Sequence, residues 1–536
     1  MKAPTPINID RLRIELLNHP DPVKVNRLLQ GLSQGYDTGI SPLPTESYIC
    51  KNLQSALKHP EKVTKLLQQE LASGYLIGPF SMPPFLVYLI NPLGLVFGKY
   101  SGKPRLIVDM SSPHNNPLHD SLNSLICKED YSLSYVTLDD ARKKIMELGA
   151  GSSLTKLDIK DAFKQIPVHP SLWPFQGVQW DENFYFYTKL MFGSRSSPAI
   201  FDELSSMICW IARNNYGIRH ILHLLDDFLA IHEPDSAHPK MVLLKLLFSR
   251  LNVPLSEAKC LGPNTELEYL GILLNTVIMQ AKLPEYKRLR VIETVEKFAT
   301  KRKCIKRELL SLIGHLSYAC KVVVPGRSFY SYLLKLAYSV PELHHHLYLT
   351  ADSRIDLHMW KTFLKAWNGT SIFLHSAKTL LDSIHTYTDA AGSLGLGGYY
   401  DRSWFAHPWP DYVFHLSANA RRNMALLELF PIVVASVLWG ARWSQKQMIF
   451  HCDNEATAAI LRKGRSPDPV IMRLVRQLTL CSIKHNFTFY AEHIPGKANV
   501  VGDLLSRLQI HRFKMLVPDA EPECTSLPPI SHLFYP

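Results

Sequence analysis

The residues best able to do chemistry lie in His223-Leu224-Leu225-Asp226-Asp227-Phe228-Leu229-Ala230-Ile231, where two adjacent carboxylates interrupt an apolar run. Such a run, flanked by β-formers, predicts two short buried strands joined by a tight turn. A buried, unpaired carboxylate costs on the order of several kcal/mol, so Asp226 and Asp227 need a cation or solvent. Alone, an Asp-Asp pair more often marks a turn or a helix cap. A third carboxylate, Asp158, ends the apolar strand predicted in Leu154-Thr155-Lys156-Leu157-Asp158-Ile159, where it has no packing value and would point into a cleft. Asp158 and the Asp226-Asp227 pair, on separate β elements, are what a two-metal phosphoryl-transfer site needs. Two Mg²⁺ ions about 3.5–4 Å apart would activate an attacking 3′ hydroxyl and neutralise a leaving pyrophosphate, with carboxylates as hard oxygen ligands. Positioning and charge do most of the work in such a reaction.

A second set is spread over residues 384–508. Asp389 ends the strand predicted at Thr386-Tyr387-Thr388-Asp389, Glu428 sits in the first turns of a helix over Met424–Trp443, Asp453 ends Met448-Ile449-Phe450-His451-Cys452-Asp453, and Asp503 rides on a helix over Asn499–Leu508. Four carboxylates at the ends of apolar elements or in first helical turns suit the same metal chemistry with water as nucleophile.

Other segments supply surroundings for the first set. Residues 98–109 predict a hairpin whose tip carries Lys99, Lys103 and Arg105; it could place three cations on a triphosphate, and it reads equally as a solvated tip. Phe163, in a helix-like turn starting near Asp161, faces the same cleft or belongs to the core. Gly193, followed by Ser196-Ser197-Pro198, would let backbone approach a ligand closely, or simply joins a loop to a helix. Residues 1–75 alternate helical spacing with proline breaks, residues 74–108 turn towards β, residues 237–252 read as helix, and residues 256–260 and 267–274 as strand. Residues 284–375 are mostly helical, with basic runs at Lys287–Arg290 and Lys301–Lys303 that are solvated faces or phosphate tracks. Asp37-Thr38-Gly39 lacks the β-rich setting of an aspartic-protease triplet and is taken as a loop, and His344-His345-His346 lacks metal spacing and is taken as surface.

Bulk properties agree with several globular domains. The 536 residues are 46% hydrophobic and 20% charged, and Lys plus Arg exceeds Asp plus Glu by 12, which suits a polyanionic partner. Nine scattered cysteines without a C-x-x-C pair indicate neither a zinc cluster nor a disulfide framework and fit a reducing compartment. No apolar segment is expected to span a bilayer and no secretory signal is evident, so the sequons at Asn368 and Asn486 read as chance matches and the expected location is cytoplasmic or nuclear.

The order Leu157-Asp158 with Ala162-Phe163, Phe192-Gly193 with Ser197-Pro198-Ala199, Leu225-Asp226-Asp227, Lys259-Cys260 and Tyr269-Leu270-Gly271 resembles the successive palm motifs of reverse transcriptases. Thr388-Asp389, Leu427-Glu428-Leu429, Cys452-Asp453-Asn454 and His493-Ile494-Pro495-Gly496-Lys497-Ala498-Asn499, ending in Asp503-Leu504-Leu505-Ser506-Arg507, resembles retroelement ribonuclease H. Together they cover roughly residues 75–508. Gly78-Pro79-Phe80, Ser111-Ser112-Pro113-His114 and Val324-Pro325-Gly326-Arg327-Ser328-Phe329 look most like the DIRS-type retrotransposons, which pair this polymerase with a tyrosine recombinase.

The resemblance implies an α+β multi-domain fold: a right-hand polymerase with fingers, palm and thumb, followed by an α/β ribonuclease H-like domain. The expected parts are an N-terminal helical region (1–75), fingers and palm (76–275), a helical thumb or connection (276–380), the ribonuclease H-like domain (381–510) and a proline-rich tail (511–536). It implies an RNA-directed DNA polymerase with ribonuclease H activity, two Mg²⁺ per active site with Mn²⁺ as a substitute, and RNA template, DNA primer, RNA-DNA hybrid and dNTPs as partners, with a recombinase from the same element as a further one.

Carried over by residue, Asp158, Asp226 and Asp227 bind the polymerase metals, Asp226 being the safer ligand of the pair. Phe163 is the steric gate against a ribose 2′ hydroxyl. Arg105, and more weakly Lys103, hold the triphosphate, Gly193 packs near nucleotide and template, and Lys259 is a general acid towards pyrophosphate. Asp389, Glu428, Asp453 and Asp503 bind the hydrolytic metals, and His493 assists product release.

Leu224 stands where many relatives have an aromatic residue, which alters the floor under the primer end. Ser111 replaces a basic residue of the template grip. No recombinase, integrase or protease is expected after residue 508, so the chain reads as one product of a larger element or a fragment of a longer reading frame. The competing reading is a non-enzymatic, domesticated nucleic-acid-binding descendant, which loss of a metal carboxylate would favour; all seven are present.

Overall fold

The computed structural model describes residues 4–98, 102–322, 326, 329–366, 370–372, 384–417, 419–444 and 446–534. Lys99 at the hairpin tip, Asn368 of the first sequon and most of the Val324–Phe329 stretch lie outside the described residues. By contact the chain divides into two units, residues 1–267 and 268–536, a division that falls inside the expected 76–275 segment.

In the first unit, helices Ile9–Glu15, Pro22–Gln34 and Pro60–Ala72 accompany a five-stranded sheet ordered 48–49, 89–90, 177–180, 183–187, 76–80. Leu93–Phe97 and Pro104–Val108 form the basic hairpin, with Val96 opposite Arg105. A second, antiparallel sheet has the order Leu261–Asn264, Ser153–Asp158, Asp227–His232, His220–Leu224. Side chains alternate across it. Leu157, Phe228 and Ala230 enter the core with Leu204 and Ile208 of helix Ser197–Asn215 and Leu247 and Phe248 of helix Ala237–Arg250. The alternation puts Lys156, Asp158 and Asp227 on the opposite face.

Two expected strands are built differently. Residues 257–259 form a single 3₁₀ turn before the Leu261–Asn264 strand, with Ser256 N–H donating to the Asp158 carbonyl at 2.8 Å. The run 267–274 is broken into Glu266–Tyr269 and Ile272–Asn275, because Leu270 and Gly271 both take positive φ (47° and 78°).

The second unit begins with helices Glu285–Thr300, Lys306–Ala319, Ser331–Ala337 and Ala351–Ala366 and continues into a five-stranded sheet ordered Ser403–Pro408, Gly395–Tyr400, Ile384–Ala391, Gln447–Cys452, Thr488–His493. The first three strands are antiparallel and the last two run parallel to Ile384–Ala391. Parallel neighbours require crossover connections, and helices Met424–Trp439, Glu455–Lys463 and Pro469–His485 lie in them. Met424–Trp443, 20 residues, is long and apolar enough to cross a membrane, contrary to expectation; 72% of its apolar window is buried inside the protein, as befits the central helix against this sheet.

Gly397 marks where helix Val500–Ser506 meets the sheet: a Cβ there would come within 2.4 Å of Leu505 Cβ and 2.7 Å of Ser506 N. Only glycine admits this approach, which carries Asp503 and Ser506 to Asp389. The expected tail also folds back. Ile510–Leu516 is helical, Phe513, Leu533 and Phe534 are buried, and Glu521 and Thr525 N–H groups donate to the Arg402 and Trp404 carbonyls. Its few apolar residues suffice to dock it beside the otherwise open Ser403–Pro408 edge.

Candidate active sites

Asp158 and Asp227 stand directly opposite each other as the last and first residues of their paired strands. Leu225 and Asp226 form the turn that joins His220–Leu224 to Asp227–His232, and Leu225 takes φ 54°, a conformation costing a residue with a Cβ about 1–2 kcal/mol. That turn is tied down by Ile159 N–H donating to the Asp226 carbonyl at 3.0 Å.

Two lysines neutralise this group. Lys259 Nζ donates to both oxygens of Asp158 (2.8 and 3.0 Å), and Lys156 Nζ lies 3.0 Å from Asp227 Oδ2. Asp227 Oδ1 is buried without a hydrogen-bond partner, as suits a carboxylate oxygen that binds a cation. Burial pushes the Asp227 carboxyl above its ordinary value against the pull of Lys156, and burial does the same to Asp226, with Asp158 adding to it. Lys259 thus sits on a proposed metal ligand, and Lys156, which sequence reasoning passed over, is legible only as the residue two before Asp158 on its face.

Asp161 takes φ 48° and starts the turn Ala162–Gln165 that buries Phe163, whose ring lies 4.7 Å from Phe192 and 5.6 Å from Phe201. Phe163 is thus held in an aromatic group next to Gly193. Gly193 has φ 102°, and a Cβ would meet the Val108 carbonyl oxygen at 2.7 Å, so the glycine turn abuts the end of the Arg105 strand. Asn123, unmarked in the sequence, knots this region together: its Nδ2 donates to Gly193 O (2.8 Å) and Ser111 Oγ (2.9 Å), and its Oδ1 accepts Arg195 N–H (2.8 Å). Arg105 and Lys103 are exposed on the hairpin.

The second group has a different character. Asp389 is buried two residues before the end of its strand, which runs past the expected end to Ala391; it accepts hydrogen bonds from Ser506 Oγ on Oδ2 and Asn499 Nδ2 on Oδ1 (3.5 Å), and Asn499 Nδ2 also donates to Thr388 O at 2.9 Å. Burial pushes Asp389 up to about 6, Ser506 opposing and Asp453 and Asp503 reinforcing. Glu428, 3% exposed, is raised to about 9 by burial and then by Asp389 and Asp453, and its Oε2 has no partner. Asp503 is paired with Arg507 Nε at 2.6 Å. His493 Nε2 is 3.2 Å from the Asp453 carbonyl, and a Cβ on Gly496 would come within 3.1 Å of Asp453 Oδ2.

Among the described residues, the one place where ligand atoms of three His, Cys, Asp or Glu side chains lie within 4.8 Å of one another is Glu428, Cys452 and Asp453. Burial, then Glu428, raises the Cys452 thiol to about 12. Ser506 and Asn499 were also missed in the sequence; both belong to the segment bearing Asp503, at i+3 and i−4.

Residues 99–274 match the family model for reverse transcriptase (RNA-dependent DNA polymerase). The chain therefore carries a reverse transcriptase domain, in a mixed α+β protein, and it is a homologue of retrotransposon Pol polyproteins. Over 423 residues it is 24% identical to the retrovirus-related Pol polyprotein from transposon opus of Drosophila melanogaster, covering 75% of this chain and 38% of that protein. The chain thus spans well under half the length of this curated relative. Solved structures with similarity include the foamy viral protease-reverse transcriptase bound to double-stranded DNA, at 14% identity and TM-score 0.49, covering 91% of this chain and 97% of that one. The same viral protein with an RNA/DNA hybrid gives 12% identity and TM-score 0.47, covering 91% and 64%.

Proposed function

We propose that this chain is an RNA-directed DNA polymerase with ribonuclease H activity, copying retroelement RNA into DNA and degrading the RNA strand of the hybrid. The observation that carries the polymerase reading is the antiparallel register setting Asp158 opposite Asp227 at the strained Leu225-Asp226 turn, inside a reverse transcriptase domain. The unpartnered Asp227 Oδ1 fits a divalent cation held by Asp158, Asp226 and Asp227. When bound, Mg²⁺ supplies activation of the primer 3′ hydroxyl and neutralisation of pyrophosphate. The chain's own residues do the rest. Lys156 and Lys259 hold the carboxylates in place, Arg105 and Lys103 offer cations for the triphosphate, and Lys259 serves as proton donor for the leaving group. Phe163, braced by Phe192 and Phe201, rejects the 2′ hydroxyl, and Gly193 keeps backbone rather than side chain beside the Val108 end of the hairpin.

The hydrolytic reading rests on the strand order of the second sheet and on Glu428 Oε2, a buried oxygen without a partner in a group of four carboxylates. Asp389, Glu428, Asp453 and Asp503 would hold Mg²⁺, and His493, on the Asp453 carbonyl, serves product release. Fingers and palm over 76–275, thumb or connection over 276–380, hydrolase over 381–510, a cytoplasmic or nuclear location, and kinship with the DIRS-type elements and their recombinase belong to the same proposal.

Primer extension by the full chain on RNA and DNA templates, with dNTPs against NTPs, tests it. Mg²⁺-dependent dNTP incorporation on RNA is expected, with Phe163→Ala admitting NTPs. Absence of incorporation by folded protein overturns it.

A further inference from the structure

Cys452 introduces a donor that hard-cation chemistry does not call for. It closes the strand Gln447–Cys452, is 1% exposed, and accepts the Asn454 N–H on its sulfur at 3.4 Å. Its sulfur lies within 4.8 Å of carboxylate oxygens from both Glu428 and Asp453. Glu428 supplies the independent observation: it is 3% exposed, and Oε2 is buried with no hydrogen-bond partner. One thiol and two carboxylates, converging from a strand end, the residue after it and the central helix, form a three-donor site. Mg²⁺ takes oxygen ligands, whereas thiolate selects softer ions; Zn²⁺ binds sulfur at about 2.3 Å and carboxylate oxygen at about 2.0–2.2 Å in tetrahedral sets.

We propose that Glu428, Cys452 and Asp453 form a binding site for a thiophilic divalent cation of the Zn²⁺ class. The S–H bond breaks and a sulfur–metal bond forms, the proton leaving to solvent, and no electron changes hands. The site shares Glu428 and Asp453 with the proposed hydrolytic centre, so the ion excludes Mg²⁺ from two of its four carboxylates. The polymerase carboxylates are clamped by lysines, and although the Cys260 thiol lies near Asp158, no three such donors converge within 4.8 Å there among the described residues. The inference rests on donor geometry and does not require that the site hydrolyse RNA.

The test is titration of the full chain, reduced and free of metal, with Co²⁺, followed by thiolate-to-metal charge-transfer absorption in the near ultraviolet, then displacement with Zn²⁺. The expected result is one equivalent of absorbing Co²⁺ in the wild type that is missing from Cys452→Ser and weakened in Glu428→Gln, both variants being checked for native circular dichroism. Zn²⁺ affinity should fall more than about tenfold in Cys452→Ser, since even outer-sphere partners of a metal cost tenfold or more. Absorption of equal strength in Cys452→Ser, which would place the metal on another of the nine cysteines, overturns the proposal, as does no absorption in folded wild type. Because the readout is spectral, a chain that binds Co²⁺ through Cys452 yet, freed of thiophilic ions and supplied with Mg²⁺, degrades no hybrid refutes the hydrolytic reading and leaves this one standing.

Discussion

The two acidic sites answer the same electrostatic problem in opposite ways. In the first unit, three aspartates meet two lysines, and each of Asp158 and Asp227 has an ammonium within about 3 Å. In the second, Arg507 serves the outermost carboxylate while Asp389 and Glu428 are buried among like charges, with carboxyls raised to about 6 and 9. Burying a carboxylate beside another favours the protonated form, and a paired cation reverses this. At the first site the lysines oppose the rise that burial imposes on Asp226 and Asp227, whereas at the second Glu428 holds its proton until a cation replaces it.

The sharpest way to break the comparison is to disable one site and watch the other. Asp226→Asn with Asp227→Asn should lower dNTP incorporation on the order of 10³-fold, the scale of losing a preorganised charge at the reacting atoms, while hybrid degradation persists. Asp453→Asn should do the reverse, abolishing hybrid degradation in a gel assay with primer extension retained. Loss of both activities in either variant would mean that the sites do not work separately.

The proton-holding character of the second site is testable by stability. The Glu428 carboxyl, raised in the folded, metal-free state from 4.5 to about 9, holds a proton that the unfolded chain releases. Its stabilisation is complete below pH 4.5 and is lost as pH rises through 9. Thermal melts in chelator should show Glu428→Gln gaining on the wild type as pH goes from 5 to 9, with little difference near pH 4. Parallel curves would contradict the assigned burial.

At the first site, Lys156 must yield Asp227 Oδ2 before a cation can use that oxygen. Lys156→Met should lower the Mg²⁺ concentration for half-maximal polymerisation severalfold, and a higher requirement would show that Lys156 positions Asp227 instead. The smallest effect is expected from Ser506→Ala. Removing a hydrogen bond worth about 1 kcal/mol from Asp389 should move the acid limb of the hydrolysis pH profile upward by less than about one unit.

Much of this was legible in the chain. Carboxylates at the ends of apolar runs stand out because burial without a partner is costly, and the positions of Asp158, Asp226, Asp227, Asp389, Glu428 and Asp453 at element ends or in early helical turns followed from strand and helix periodicity. The partners were not legible. Lys259 stood out only through the family resemblance and with another role, nothing local distinguishes Lys156 among 59 basic residues, and Asn123 reaches Gly193 and Ser111 through a loop with no periodic signal. The strand expected at 256–260 became a turn because the Ser256 N–H serves the Asp158 carbonyl and the Lys259 and Cys260 N–H groups close onto the Ser256 and Glu257 carbonyls rather than a ladder, and Met424–Trp443 reads like a membrane span because a central core helix is apolar all round.

What the sequence by itself determined is the set of charged groups and the elements that carry them, since hydrophobic period and chain order are local properties. What only the tertiary structure decided is which groups meet: register set Asp158 opposite Asp227, glycine at 397 let the Asp503 helix reach Asp389, and strand–helix packing brought the Cys452 sulfur to Glu428 and Asp453. Such meetings depend on contacts between residues far apart in sequence, where a shift of one position in register turns every side chain to the other face.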